Sequence, residues 1–118
     1  MLIFKEFVFD CAHFLPNVPP DHKCRQVHGH TYRLTIYLEG NTNNHGGWVM
    51  DFAEIKKVVS PVIKMLDHKM LNDIEGLENP TAEMMAKWLW KKINPQLPSL
   101  KKIKLCETPS SGVIYEGD

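Results

Sequence analysis

The sequence predicts an α+β domain, a four-stranded antiparallel sheet with two helices on one face. Three observations predict it. Apolar and polar residues alternate in two segments near the N-terminus and two near the C-terminus, the period of strands. Between them lie two segments whose apolar residues recur every three or four positions, the period of helices. The resulting order, ββααββ, is satisfied by one antiparallel sheet with both helices packed on the same side. The chain has 118 residues, close to the usual domain size of about 100–150, so residues 1–118 are read as a single domain.

The first strand runs from Leu2 to Phe14 and places Phe7, Phe9, Cys11 and His13 on one face. PNVPPDHKC then interrupts it, because proline cannot donate to a strand ladder. The second strand spans His28 to Glu39, with His28, His30, Tyr32, Leu34, Ile36 and Leu38 on one face. GNTNNHGG is a turn. Asp51 is suited to cap a helix whose Phe52, Ile55, Val59, Ile63 and Leu66 share a stripe. Pro61 inside it predicts a kink or break. ENPTAEMMAKWLWKKI reads as the second helix, capped by Asn79 or Thr81, with Pro80 in its first turn and Met85, Trp88, Leu89 and Ile93 inward. KKIKLCE places Ile103, Leu105 and Glu107 on one face, PSSG turns the chain, and VIYE ends it. The second face of the sheet needs a cover, which another copy of the chain can supply.

Fourteen basic and fourteen acidic side chains cancel. A neutral chain has no overall field for nucleic acid or an anionic membrane, so neither is an expected partner. No segment approaches the roughly 20 apolar residues of a membrane span. Lys5, Glu6 and Asp10 are wrong for a signal-peptide core, and three widely spaced cysteines are no disulfide framework. A cytoplasmic protein is expected.

Several residues are candidates for chemistry. His28 and His30 project from one strand face, and His13 reaches them if the first two strands are antiparallel neighbours. Three neutral imidazoles with an open fourth position describe a catalytic zinc site; ordinary polar strand residues would give the same H-x-H pair. Cys24, between Lys23 and Arg25, is a candidate thiolate or a structural thiol, whereas Cys11 and Cys106 read as packing residues. Asp67 and His68, at the end of the first helix, are an acid–base unit or a solvated helix end. Glu107 emerges on an apolar face and so requires a partner, protein or ligand. His22 and His45 read as surface loop residues, and Thr81 and Glu83 as helix-start residues.

Taken in order, FDCAHFL, KCRQVHGHTY, VMDFAEIK, LDHKMLN, NPTAE and LCET, from Phe9 to Thr108, resemble the 6-pyruvoyl-tetrahydropterin synthase and 6-carboxytetrahydropterin synthase family. The resemblance implies a T-fold whose subunits close a barrel as trimers, usually paired as hexamers, with active sites at subunit interfaces. It implies zinc held by His13, His28 and His30. Cys24 becomes the general base, and Asp67 and His68 its acid–base partners. Glu107 anchors the 2-amino-pyrimidinone edge of a pterin, and the Thr108 backbone adds a contact. Three residues, Arg25, Gln26 and Val27, separate the cysteine from HGH, as in the carboxy-forming branch; the pyruvoyl-forming branch usually has five. The implied activity is conversion of 7,8-dihydroneopterin triphosphate to 6-carboxy-5,6,7,8-tetrahydropterin, acetaldehyde and triphosphate, toward 7-deazaguanine compounds such as queuosine. A pyruvoyl-forming enzyme and a non-catalytic zinc-binding assembly protein are the alternatives. Cys24 argues against a third branch, which carries Glu near that position. Met84 stands where the family often has Asn, which bears on helix packing or an interface contact.

Overall fold

The computed structural model describes residues Met1 to Asp118. Strands β1 (Leu2–His13) and β2 (His28–Glu39) pair antiparallel along their whole length, from Leu2 opposite Glu39 to His13 opposite His28. Strand β3 (Leu100–Thr108) pairs with β2, and β4 (Ser111–Tyr115) with β3, so sheet order follows chain order. Helices α1 (Phe52–Lys64) and α2 (Ala82–Ile93) occupy the connection from β2 to β3.

Strand alternation decides which side chains meet the helices. Phe9, Cys11 and His13 of β1, Tyr32, Leu34, Ile36 and Leu38 of β2, and Ile103 and Leu105 of β3 are buried. Ile55, Val59 and Val62 of α1, Leu66 just beyond it, and Met85, Leu89 and Ile93 of α2 complete the same core. Each buried Val, Leu, Ile, Phe or Met side chain among them contributes about 1.5–3 kcal/mol on burial. A one-residue slip would turn the whole inward set outward, so this layer fixes the facing of the strand histidines too.

Pro61 does not break α1, which runs on to Lys64. Pro61 and Lys57, whose carbonyl loses its helical partner, are both exposed, and water can serve that carbonyl. The buried stripe begins at Ile55 and includes Val62, whereas Phe52 is 52% exposed. Thr81 is the N-cap of α2, its hydroxyl accepting from the Met84 N–H at 3.2 Å, so Pro80 precedes the cap. Cys11 is buried, but Cys106 is half-buried on the face opposite Leu105. That second face carries exposed Phe4 and Val8 on β1 and exposed Ile114 on β4. No helix is long and apolar enough to cross a membrane.

Candidate active site

Pairing of β2 with β3 reaches only Arg33, opposite Cys106. The β1–β2 ribbon therefore projects beyond the four-stranded part, and its inward side there is lined by histidine. His13 faces His28 across the ladder, and His30 lies two residues along the same face. The rings meet edge to face, with centroids 4.5 Å apart for His13–His28, 5.1 Å for His13–His30 and 4.9 Å for His28–His30. One nitrogen of each lies within 4.8 Å of the others.

Backbone carbonyls set the tautomers. His13 Nδ1 lies 2.9 Å from the Pro80 carbonyl oxygen, and His28 Nδ1 lies 2.7 Å from that of Gln26. A carbonyl only accepts, so each Nδ1 carries the proton and each Nε2 keeps a lone pair. Those two Nε2 atoms are 3.0 Å apart, and the buried His30 Nε2 has no hydrogen-bond partner. Facing lone pairs repel unless a cation lies among them. Burial lowers the proton affinity of His13 and His30, which favours the neutral form that binds metal. Three converging neutral imidazoles fit zinc and other transition metals.

Glu107 completes the enclosure. Its Oε1 is 3.5 Å from His13 Nε2 and 3.6 Å from His30 Nε2. The β3–β4 register shifts between Cys106 and Thr108, so Glu107 occupies a bulge, a feature that re-aims side chains. Glu107 and Thr108 line an open depression of about 330 Å³ together with His30 and Arg33.

Asp67 and His68 lie beyond α1, not on it. His68 has φ of 60°, the only positive value outside glycine. This left-handed turn lets neighbouring side chains face each other, which a helix forbids, and His68 Nδ1 lies 3.0 Å from Asp67 Oδ1. Asp67 Oδ1 also accepts from the Asp10 N–H at 3.0 Å, and the His68 N–H donates to the Asp10 carbonyl at 2.6 Å. The Asp10 N–H, and then the His68 ring, hold the Asp67 carboxyl below the usual carboxylate range. The following residues extend the sheet: the Ala12 N–H donates to the Lys69 carbonyl at 3.0 Å, and Ala12 bridges Met70 in parallel. His68 and Lys69 line a second depression, of about 540 Å³, with Asp10, Gly29, His30 and Thr31. His30 thus borders both depressions.

Cys24 is half-buried in a short 3₁₀ turn, Lys23–Arg25. Its N–H donates to His22 Nδ1 at 3.0 Å, and its carbonyl accepts from the Leu15 N–H at 2.8 Å. It lies outside the imidazole cluster.

The family described as 6-pyruvoyl tetrahydropterin synthase matches residues 2–118. The chain belongs to that family. A 6-carboxy-5,6,7,8-tetrahydropterin synthase of Synechocystis sp. is 39% identical, over 97% of this chain and 92% of its own. A dihydroneopterin monophosphate aldolase of Pyrococcus furiosus is 40% identical, over 92% of this chain and 90% of its own. The structure of Caenorhabditis elegans 6-pyruvoyl tetrahydropterin synthase superposes with a TM-score of 0.92 at 27% identity, covering 100% of this chain and 96% of that one. The T-fold is therefore established, and the chain is an enzyme, a lyase of the 6-pyruvoyl tetrahydropterin synthase family.

Within this family framework four supports escaped the sequence reading. His22, read as a surface residue, caps the Cys24 turn. Asn72, in the LDHKMLN motif, accepts from the Phe14 N–H at 3.0 Å and donates to the Phe14 carbonyl at 2.9 Å, clamping the residue after His13. The Pro80 and Gln26 carbonyls orient imidazoles, and no side-chain pattern marks a carbonyl. For Asn72 the motif itself was the available signal.

Proposed function

We propose that the chain is a cytoplasmic, zinc-dependent carbon–carbon lyase. It converts 7,8-dihydroneopterin triphosphate and one water to 6-carboxy-5,6,7,8-tetrahydropterin, acetaldehyde and triphosphate, toward 7-deazaguanine compounds such as queuosine. The observation that carries the reading is the convergence of three imidazoles, with unprotonated Nε2 on His13 and His28, beside Glu107.

His13, His28 and His30 hold the metal, which supplies Lewis-acid polarisation of the substrate's side-chain oxygens when bound. The other tasks fall to the chain's own groups. Glu107 accepts the paired N–H donors of the pterin's 2-amino-pyrimidinone edge, and the Thr108 backbone adds a contact. Cys24, as a thiolate, removes a proton from the substrate side chain, and His68 returns one. Asp67 stays ionised and orients the His68 ring through the 3.0 Å contact. Lys69, beside His68 in the same depression, offers a cation to the departing triphosphate. Copies of the chain close a barrel through β1 and β4, as trimers or hexamers, with active sites at their interfaces. Exposed Phe4, Val8 and Ile114 on those edge strands support this assembly.

The Synechocystis relative and the three-residue spacing after Cys24 favour the carboxy product. One observation favours a second reading: the aldolase relative is 40% identical. In that reading the same acid–base groups cleave a carbon–carbon bond of dihydroneopterin monophosphate and the phosphate stays attached.

Incubating the metal-loaded chain with each substrate, and identifying products by mass, separates these. A carboxy product with acetaldehyde from the triphosphate supports the first reading. A pyruvoyl product, or turnover of the monophosphate alone, replaces it. Cys24→Ala should abolish turnover with metal content unchanged; surviving turnover removes Cys24 from the role of base.

A further inference from the structure

We infer that His22 and Arg25 are positioning residues for the Cys24 thiol, holding it where it takes the substrate proton. This rests on the role proposed above for Cys24 and names what keeps that thiol in place.

Packing does not keep it there. No residue between His13 and His28 is buried, and the Lys23–Arg25 turn adds nothing to the core. A segment with so little apolar contact opens locally at small cost unless polar contacts hold it. A proton-transfer group tolerates little movement, since a misplacement of about 1 Å can cost about 100-fold in rate.

The polar contacts form a bracket, and the PPDHKCR stretch builds it. The His22 N–H donates to the Pro19 carbonyl at 2.9 Å, closing a turn with Pro20 in its second position, where the fixed φ of proline is favoured. That turn delivers the His22 ring to the Cys24 backbone. His22 Nδ1 accepts from the Cys24 N–H at 3.0 Å, so the ring is neutral with its proton on Nε2. The His22 carbonyl accepts from the Arg25 N–H at 3.0 Å. On the other side of the thiol, Arg25 Nη1 donates to the Val18 carbonyl at 2.9 Å and ties the turn to the residue before the two prolines. The Leu15 N–H, donating to the Cys24 carbonyl at 2.8 Å, fastens the turn to the chain leaving β1. Only the His22 and Arg25 side chains take part in these contacts; the rest is backbone. Both residues are exposed, so cutting their contacts leaves the core untouched.

The test uses the full, metal-loaded chain and two readouts. One is steady-state turnover of 7,8-dihydroneopterin triphosphate; the other is the rate at which iodoacetamide alkylates Cys24, mapped by peptide mass. His22→Ala and Arg25→Ala should each lower kcat by about tenfold or more and leave KM within about twofold. Each should also speed Cys24 alkylation by about threefold or more, because the freed turn exposes the thiol. His22→Asn supplies a favoured cap whose oxygen accepts from the N–H two residues on, and should bring both readouts back toward the wild type. A kcat within about twofold of wild type in the alanine variants overturns the inference. So does an unchanged alkylation rate, or a His22→Asn variant no better than His22→Ala. A raised KM with kcat unchanged assigns the two residues to substrate binding and overturns it as well. If His22→Ala does not fold, Arg25→Ala carries the same test. Turnover that survives in Cys24→Ala, a variant with His22 and Arg25 intact, instead overturns the proposed base.

Discussion

Asn72→Ala isolates the clamp behind His13. The Asn72 side chain accepts from the Phe14 N–H at 3.0 Å and donates to the Phe14 carbonyl at 2.9 Å, with a longer contact to the Glu78 carbonyl at 3.4 Å. Each of the two short bonds contributes about 1 kcal/mol net. Truncation also leaves Phe14 backbone groups without their partners in a part-buried place. The expected destabilisation is about 2 kcal/mol. Unfolding entropy near 2.1 cal/mol/K per residue, over 118 residues, makes 1 kcal/mol worth about 4 °C. The melting temperature should therefore fall by about 8 °C, read by circular dichroism at fixed protein and metal concentration. Asn72→Asp keeps an acceptor for the Phe14 N–H and loses the donor, so it should fall between the two. Metal affinity should weaken in parallel, because Phe14 adjoins His13. A melting temperature within about 2 °C of wild type for Asn72→Ala would refute the clamp.

The other predictions test the metal, the helix proline and the buried thiol. A metal present at about 100 times its dissociation constant stabilises by about 2.7 kcal/mol, so chelation should lower the melting temperature by about 11 °C and metal addition should restore it. His28→Ala should be insensitive to chelator and metal-free by elemental analysis; a wild type that melts unchanged after chelation contradicts the metal site. Pro61→Ala should stabilise α1 by about 1–2 kcal/mol, part of the roughly 3 kcal/mol by which proline is disfavoured in a helix interior. Urea denaturation measures this, and no gain would mean that the freed Lys57 carbonyl is already well served. Burial first, then the Asp67 and Asp10 carboxylates, push the Cys11 thiol up to about 12. Native alkylation around pH 8 should therefore reach Cys24 and Cys106 before Cys11, as mapped by peptide mass. Equal rates would contradict that burial.

The β1–β2 ribbon was legible in the sequence because alternation has only two outcomes, and apolar Phe9, Leu34 and Ile36 choose between them for His13, His28 and His30. The odd parity of Glu107 was legible for the same reason. Its closeness to the imidazoles was not, since that depends on a register shift between Cys106 and Thr108, which alternation cannot reveal. Pro61 misled because propensity says what proline costs, and only the fold says which side of the helix meets water. The pairing of Asp67 with His68 was hidden by a local conformation: a helix would separate the two side chains, and φ of 60° at His68 brings them together. Pro80 and Gln26 act through carbonyls that every residue possesses, so nothing in their identity announces the role.

One physical cause accounts for the electrostatic character of this end of the sheet. Tyr32 stacks on Phe9 at 5.4 Å, and both belong to the core on which the imidazoles rest. Burial pushes the Tyr32 hydroxyl up and the His13 and His30 rings down. At neutral pH this favours an uncharged phenol and two uncharged rings, so these groups cannot balance the Glu107 carboxylate. A carboxylate among lone pairs repels a polyphosphate. A divalent ion held by neutral imidazoles outweighs one carboxylate and leaves a net positive charge in a poorly solvated place, where charge acts strongly. The proposed ion would thus reverse the sign of the field that an anionic substrate meets. Chelation should then abolish substrate binding along with turnover, whereas loss of the Cys24 thiol should abolish turnover and leave binding intact.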